Sequence, residues 1–117
     1  MQIDFVLREG AGDMAATLRE YALRRLSFAV RRFRHRLQRI TIRLADLNGP
    51  KRGLDWRCTI TADLVDGRQI FVAATDAWPF ASITHAAARL SEAMRRDGSR
   101  QSHRAHAVPR RWAHIPA

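Results

Sequence analysis

The sequence predicts one α+β domain in which two helices pack on one face of a four-stranded sheet, in the order β-α-β-β-β-α. Two observations predict this class. Apolar residues alternate with polar ones along short segments, and two longer segments each carry one apolar stripe at helical spacing. Packing the helical stripes on one face of a sheet buries all the apolar faces in two layers. A chain of 117 residues has room for one such domain.

The strand predictions rest on this alternation, which is clearest in the third strand. There one set of side chains points one way, namely Trp56, Cys58, Ile60, Ala62 and Leu64, and the other set is Arg57, Thr59, Thr61 and Asp63. Such a pattern is typical of an antiparallel sheet with one face packed and one face in water. The other strands are predicted at 3–7, 40–44 and 69–74, with a basic loop at 48–53. Asp66-Gly67 predicts a tight hairpin before the last strand.

The helices are predicted from apolar residues spaced three and four apart. The first runs from an N-cap at Asp13 to about Phe33, with Met14, Leu18, Ala22, Leu26, Ala29 and Phe33 as its stripe. The last begins near Pro79, with Phe80, Ile83, Ala87, Leu90 and Met94 as its stripe. Beyond Asp97 the composition changes to four arginines and no acid, with no apolar period. We therefore predict a domain over 1–97 and a basic, disordered tail over 98–117.

The net charge is the strongest functional signal. Twenty-one Lys and Arg against eleven Asp and Glu give +10, a surplus that attracts a polyanion such as RNA, DNA or an anionic membrane surface. An arginine-rich proteome would give the same composition, so the positions of the charges must show whether they form a binding surface. Between Tyr21 and Ala45 there are eight arginines and no acid. This arrangement favours a nucleic-acid-binding surface over arginines that only stabilise a helix, which are commonly paired with acids.

Helical spacing groups these charges. Arg24 and Arg31 are seven residues apart, as are Arg25 and Arg32, so the four are expected on one edge of the first helix. On the last helix, the residues expected to share an edge are Ser82, His85, Arg89 and Arg96. If the two edges face each other, a basic channel between the helices would suit a phosphate backbone. Tyr21 and Phe28 are expected to border the core rather than to serve as stacking platforms.

Other chemistry is weakly represented. His103 and His106 have ligand-like spacing but no acid or thiol nearby, so no metal site is predicted. Cys58, the only cysteine, is expected in the core, which leaves no intrachain disulfide. No catalytic motif, cofactor site or small-molecule substrate is evident, and no secretory signal or membrane-spanning segment is visible. We expect a cytoplasmic protein that is not an enzyme.

Two segments, together with the order of elements, resemble a known family. These segments are Leu18-Arg19-Glu20-Tyr21-Ala22 and Pro79-Phe80-Ala81-Ser82-Ile83-Thr84, the latter followed by Ala87-Ala88-Arg89-Leu90. Over residues 1–96 the chain is similar to the short ribosome hibernation-promoting factors, a family that includes the ribosome-associated inhibitor. The resemblance implies a fold like that of double-stranded-RNA-binding domains. It also implies binding of the small ribosomal subunit and its rRNA across the A and P sites, which blocks translation while ribosomes are stored.

The resemblance also implies binding residues. It places Arg19, Arg25, Arg89, Arg95 and Arg96 at basic family positions, and the helix-edge argument adds Arg24, Arg31, Arg32 and His85. Two departures concern the last helix. Trp78 stands where the family commonly has a capping Asp, so Thr75 or Asp76 is expected to cap instead, and Thr84 replaces the usual Asp. The basic tail differs from the acidic tail of inhibitor-type members, and pairing of ribosomes through the long form's dimerisation domain is not expected.

Two other functions stay open from the sequence. One is a general module for structured RNA with no preference for ribosomes. The other is a protein-interaction adaptor whose wet sheet face binds an acidic partner, through Arg43, Arg57, Thr59, Thr61 and Phe71.

Overall fold

The elements follow the predicted order. A computed structural model describes residues 1–8, 12–47 and 55–114, and the side chains as far as Ser99. The elements are β1 (Gln2–Leu7), α1 (Ala15–Val30), β2 (Leu37–Asp46), β3 (Trp56–Leu64), β4 (Gln69–Asp76) and α2 (Pro79–His114). The basic loop predicted over 48–53 lies outside the described residues. Both helices lie on one face of a four-stranded sheet, so the predicted fold class is confirmed.

The sheet has the strand order β1-β2-β3-β4 and mixed direction. β2, β3 and β4 are antiparallel, with Ile60 paired to Ile42 on one side and to Val72 on the other. β1 instead runs parallel to β2, because α1 crosses over between them and returns the chain to the end where β1 began. The predicted hairpin is present, and Gly67 adopts a φ of +93°, which favours glycine.

The core lies between the helices and one face of the sheet. The inward residues of the third strand are all buried as predicted, and so are half of the predicted α1 stripe and all of the α2 stripe except Phe80. In α1 the stripe ends at Val30 rather than at Phe33, which is half-buried at the core border. Cys58 is fully buried, and this burial raises the pKa of its thiol to about 12, so the group stays protonated.

The ends of α1 differ from the prediction. Asp13 lies in a short 3₁₀ turn, and Met14 is the N-cap with no side-chain hydrogen bond, so the predicted Asp13 cap is wrong. At the other end the chain tightens into a second 3₁₀ turn, Arg31–Arg36, instead of continuing as an α-helix. The next residue, Leu37, is buried at the start of β2, so the tighter turn delivers it directly into the core.

The end of α2 also differs, because the helix continues past the composition break at Asp97 to His114. Gly98 had indicated a break, yet it lies within the helix. A Cβ at this position would come within 3.1 Å of Arg36 Nη1, so the missing side chain leaves room for that guanidinium. Extending an existing helix also costs far less than nucleating a new one. The division into 1–97 and 98–117 stays a prediction.

Asp97 joins three separate parts of the chain. Its carboxylate accepts two hydrogen bonds from Arg68 beside the hairpin, at 2.7 and 3.0 Å, and a further one from Arg36 of the 3₁₀ turn. Arg36 also donates to the carbonyl oxygen of Met94. The Asp97 side chain is only 13% exposed. The hydrogen bonds from Arg68 and the nearby Arg36 charge lower the pKa of Asp97 below its usual range.

Replacing Asp97 by Asn should therefore destabilise the fold at neutral pH by about 1–2 kcal/mol, since charge-assisted hydrogen bonds to two arginines are weakened. Because the folded-state pKa of Asp97 is lowered, its stabilisation is complete above the unfolded-state value of about 3.9. It is lost as the pH falls through the folded-state value. Urea unfolding of wild type and Asp97→Asn should show a difference at neutral pH that shrinks below about pH 4. An unchanged difference at low pH would contradict the ionic origin of the effect.

Candidate nucleic-acid interface

α1 and α2 lie side by side and run in the same direction. Near the start of both helices the hydroxyls of Tyr21 and Thr84 are 2.6 Å apart, and the Tyr21 ring meets Phe80 edge to face with centroids 5.1 Å apart. Thr84 therefore has a structural partner at the position where the resembled family has Asp. Two turns further along α1, Phe28 lies near Ser91 of α2, which shows that the helices stay adjacent.

A groove runs between the helices beyond Tyr21. Phe28, Ala29, Arg31, Arg32 and Ser91 line a depression of about 220 Å³. Arg25 follows Tyr21 by four residues and Arg24 precedes Arg31 by seven, so both share the α1 edge that borders this depression. We call this surface the arginine groove, and it consists of Arg24, Arg25, Arg31 and Arg32, with Phe28 among them and Ser91 across. Arg31 and Arg32 line the depression directly, and the position of Arg24 and Arg25 on the same edge stays a prediction from their spacing.

The charge of the arginine groove is uncompensated. Within the part of the chain that the structure describes, none of its four arginines forms an ion pair. The Nε atom of Arg25 is buried and has no hydrogen-bond partner among the described residues. By contrast, Arg36, Arg39 and Arg68 are all paired with aspartates. A polyanion that docks in the groove would thus have no internal acid to displace.

Phe28 is a binding candidate that the sequence analysis missed. It was expected to border the core, but 62% of its surface is exposed because Val30 and Leu26 occupy the buried side of α1. The Arg31 guanidinium lies 5.0 Å from the centre of the Phe28 ring. An exposed ring flanked by arginines can stack on an unpaired base while the cations bind phosphates. The sequence does place Phe28 seven residues after Tyr21 and between the pairs Arg24-Arg25 and Arg31-Arg32. This placement could have identified it as a binding candidate.

The predicted edge of α2 is present, but it faces β4 rather than α1, so it cannot form a shared channel with the arginines of α1. Arg89 donates a hydrogen bond to the Ala73 carbonyl of β4, and His85 Nδ1 lies 3.4 Å from an Asp76 oxygen. This outer edge therefore faces β4, whereas Thr84 faces α1. Ser82 is buried and donates to the carbonyl of Pro79. The expectation that His85, Arg89 and Arg96 line the groove with the arginines of α1 is wrong.

Of the remaining predicted binding residues, some lie near the arginine groove and others lie away from it. Arg19 precedes Tyr21 by two residues, about 200° around the helix, so it lies on the edge of α1 away from α2. Arg95 follows Ser91 by one turn and is the predicted α2 residue nearest the groove. Its guanidinium is bound to Glu92 at 2.6 and 3.1 Å, and Arg96 reaches the same carboxylate at 3.3 Å. Hydrogen bonding to Arg95 lowers the pKa of Glu92, so this acid stays ionised.

Asp76 of β4 makes a turn just before α2, and its role as the helix cap stays a prediction, because the N–H whose hydrogen bond it accepts belongs to Trp78, ahead of the first helical residue Pro79. The backbone N–H of Trp78 donates to Asp76 Oδ1 at 3.1 Å, and the first helical hydrogen bond runs from Ser82 to Trp78. The side chains of His103 and His106 lie outside the described ones. Elsewhere, in residues 1–8, 12–47 and 55–99, no three His, Cys, Asp or Glu side chains are placed to hold a metal ion. No helix in the described part of the chain combines the length and apolar character needed to cross a bilayer.

Comparison with known proteins identifies the fold. The Thermus thermophilus Protein Y N-terminal domain superposes with a TM-score of 0.64 at 24% identity, covering 82% of this chain and 98% of that one. A ribosomal subunit interface protein from Coxiella burnetii gives 0.68 at 17% identity, covering 85% and 99%. The chain has their fold. Both are hibernation-promoting factor family members, so the fold that the sequence resemblance implied is confirmed. No protein-family model and no curated protein sequence matches the chain.

The unpaired arginines predict how RNA affinity responds to salt. An Arg31→Gln, Arg32→Gln variant should bind duplex RNA more weakly, and the slope of log affinity against log salt should become shallower by about 1.5, because two phosphate contacts are lost. Fluorescence anisotropy over a series of salt concentrations measures this slope. The matched control is Arg89→Gln, Arg96→Gln, which removes the same charge from the outer edge and should change the slope little. Equal losses in both variants would mean that only net charge matters.

Proposed function

We propose that this protein binds the small ribosomal subunit through the arginine groove and thereby blocks the path of mRNA and tRNA. The observation that carries the proposal is a group of four arginines with no acidic partner among the described residues, beside an exposed aromatic ring at the junction of two helices. The shared fold supports the choice of the ribosome as the RNA target, because one of the two similar structures is of a ribosomal subunit interface protein.

The mechanism is stoichiometric binding and needs no catalysis or cofactor. The planar guanidinium groups of Arg31 and Arg32 can each bind phosphate oxygens of rRNA with two hydrogen bonds. Phe28 offers a flat apolar surface for one unpaired base, and Arg95 can add a contact from α2 when Glu92 is shared with Arg96. The folded domain then occupies space that mRNA or tRNA would need. Storage of inactive ribosomes in the cytoplasm is the physiological role that this mechanism serves.

Co-sedimentation with purified small ribosomal subunits tests the proposal. Wild-type protein should saturate near one copy per subunit and stay bound at moderate salt, and it should compete with initiator tRNA for the subunit. Arg31→Glu, Arg32→Glu should weaken binding by at least about tenfold while its circular dichroism spectrum stays unchanged, because both residues are exposed. Arg89→Glu, Arg96→Glu is the control, with the same charge change on the outer edge. Binding that never saturates and vanishes with salt would contradict a specific site.

A general module for structured RNA is the alternative that the same surface permits. Excess duplex RNA of unrelated sequence separates the two functions. If the ribosome is the specific partner, duplex RNA should leave subunit binding largely intact. If duplex RNA displaces the protein in proportion to its phosphate concentration, the function is general RNA binding.

A further inference from the structure

The sheet face opposite the helices carries a second group of features that the arginine groove does not use. Phe71 of β4 stands on this face with 61% of its surface exposed. Its cross-strand partner is Thr61, and the next pair along the strands is Ala73 with Thr59. Small side chains therefore lie on one side of the ring, and Asp63 and Gln69 form the next pair on its other side.

Two exposed arginines lie on the same face, both on the side of Phe71 away from the hairpin. Arg57 lies on β3, four residues along from Thr61, which places it about 14 Å from the Phe71 row. Arg43 lies on β2, paired with Thr59, one row away and two strands across. Both arginines can extend towards the ring over the intervening threonines. The distances match a short nucleic-acid segment with a base on the ring and its next phosphates on this one side.

Among the described residues, the acidic side chains of this face are engaged by other partners and do not pair with Arg43 or Arg57. Asp4 stands in the row of Phe71 on the far edge strand and lies 3.6 Å from Arg39, and Asp63 accepts a hydrogen bond from Gln69 one row nearer the hairpin. Within the described residues neither Arg43 nor Arg57 forms an ion pair. The open face thus has an uncompensated positive end next to an exposed aromatic ring.

We propose that this open face is a binding site for single-stranded RNA, in which a base stacks on Phe71 and the phosphates on one side of that base bind Arg43 and Arg57. The combination of an aromatic platform and a positively charged surface is the one that sequence-tolerant single-strand binders use. It lies on the opposite side of the sheet from the arginine groove, so it does not depend on the proposed function.

A protein partner fits this face less well. Stable protein interfaces need a contiguous apolar centre in which several large side chains are buried together. Here the exposed large apolar residues are Phe71 on β4 and Val6 on β1, at opposite edges of the sheet. A single ring among threonines is sufficient for base stacking but not for such a centre.

The test uses the full chain and a labelled oligouridine of about ten nucleotides, which has no duplex structure, in an anisotropy titration. Phe71→Ala should weaken binding by about tenfold, the loss expected for one stacked base. Phe71→Trp should bind at least as tightly as wild type, and Arg57→Gln should make the salt dependence shallower. Val6→Ala is the matched control, because it removes an exposed apolar side chain from the same face without touching the ring.

Three outcomes would overturn the proposal. The first is oligouridine binding that is unchanged in Phe71→Ala but lost in Arg31→Glu, Arg32→Glu, which would place the strand in the arginine groove. The second is equal displacement of oligouridine by polyglutamate together with indifference to Phe71→Ala, which would indicate a face for acidic protein. The third is no binding of oligouridine by wild type. Retained ribosome binding by Phe71→Ala would show that this site and the proposed function succeed or fail separately.

Discussion

The contact between the two helices at Tyr21 decides which charges meet on the surface of this protein. Tyr21 bonds Thr84 and packs against Phe80, and this contact fixes the rotation of each helix about its axis. Every other surface follows from that rotation. Arg25 and Phe28 turn towards α2, whereas His85 and Arg89 turn away from α1 and towards β4. A different contact at this point would bring together a different set of arginines on the same sheet.

Two groups of arginines in the described chain have different surroundings. One group is engaged within the fold: Arg36 and Arg68 join Asp97 to the hairpin and the 3₁₀ turn, and Arg89 binds the edge of β4. The other group lies in the arginine groove and has no acidic partner in the described part of the chain. Fold stability and the proposed polyanion binding therefore draw on different side chains, so we expect that each can be altered without loss of the other.

Much of this arrangement could be predicted from the sequence. An element that is buried on one face has apolar residues at every second position if it is a strand, and at every third or fourth position if it is a helix. Trp56 to Leu64 is the clearest case. The spacing of seven also placed Arg24 with Arg31 and Arg25 with Arg32 on one edge. Such arithmetic shows which residues share an edge, but it does not show which neighbour the edge faces. For this reason the outer edge of α2 was assigned to the wrong side.

Two other differences have the same tertiary origin. In the sequence, Gly98 indicates the end of a helix. In the folded protein, its missing side chain leaves space for Arg36. Phe28 reads as a core residue by hydrophobicity, but Val30 fills the space beside Leu26 and leaves the ring outside. Sequence patterns give the spacing of apolar residues within one helix or strand. The surroundings of Gly98 and Phe28 depend instead on how neighbouring elements pack together. The proposed binding surface lies between two packed helices, so it was the part predicted least completely.

The central claim is that the arginine groove, and not basic charge in general, faces rRNA. Photo-crosslinking on the small ribosomal subunit tests it most directly, with a benzophenone amino acid placed at Phe28 or at Leu47. Both positions are exposed, at 62% and 54%, and Leu47 lies at the opposite end of the sheet. If the groove faces rRNA, position 28 should give a strong, saturable crosslink to rRNA and position 47 should give little. A stronger crosslink from position 47, or equal diffuse crosslinking from both, would contradict it.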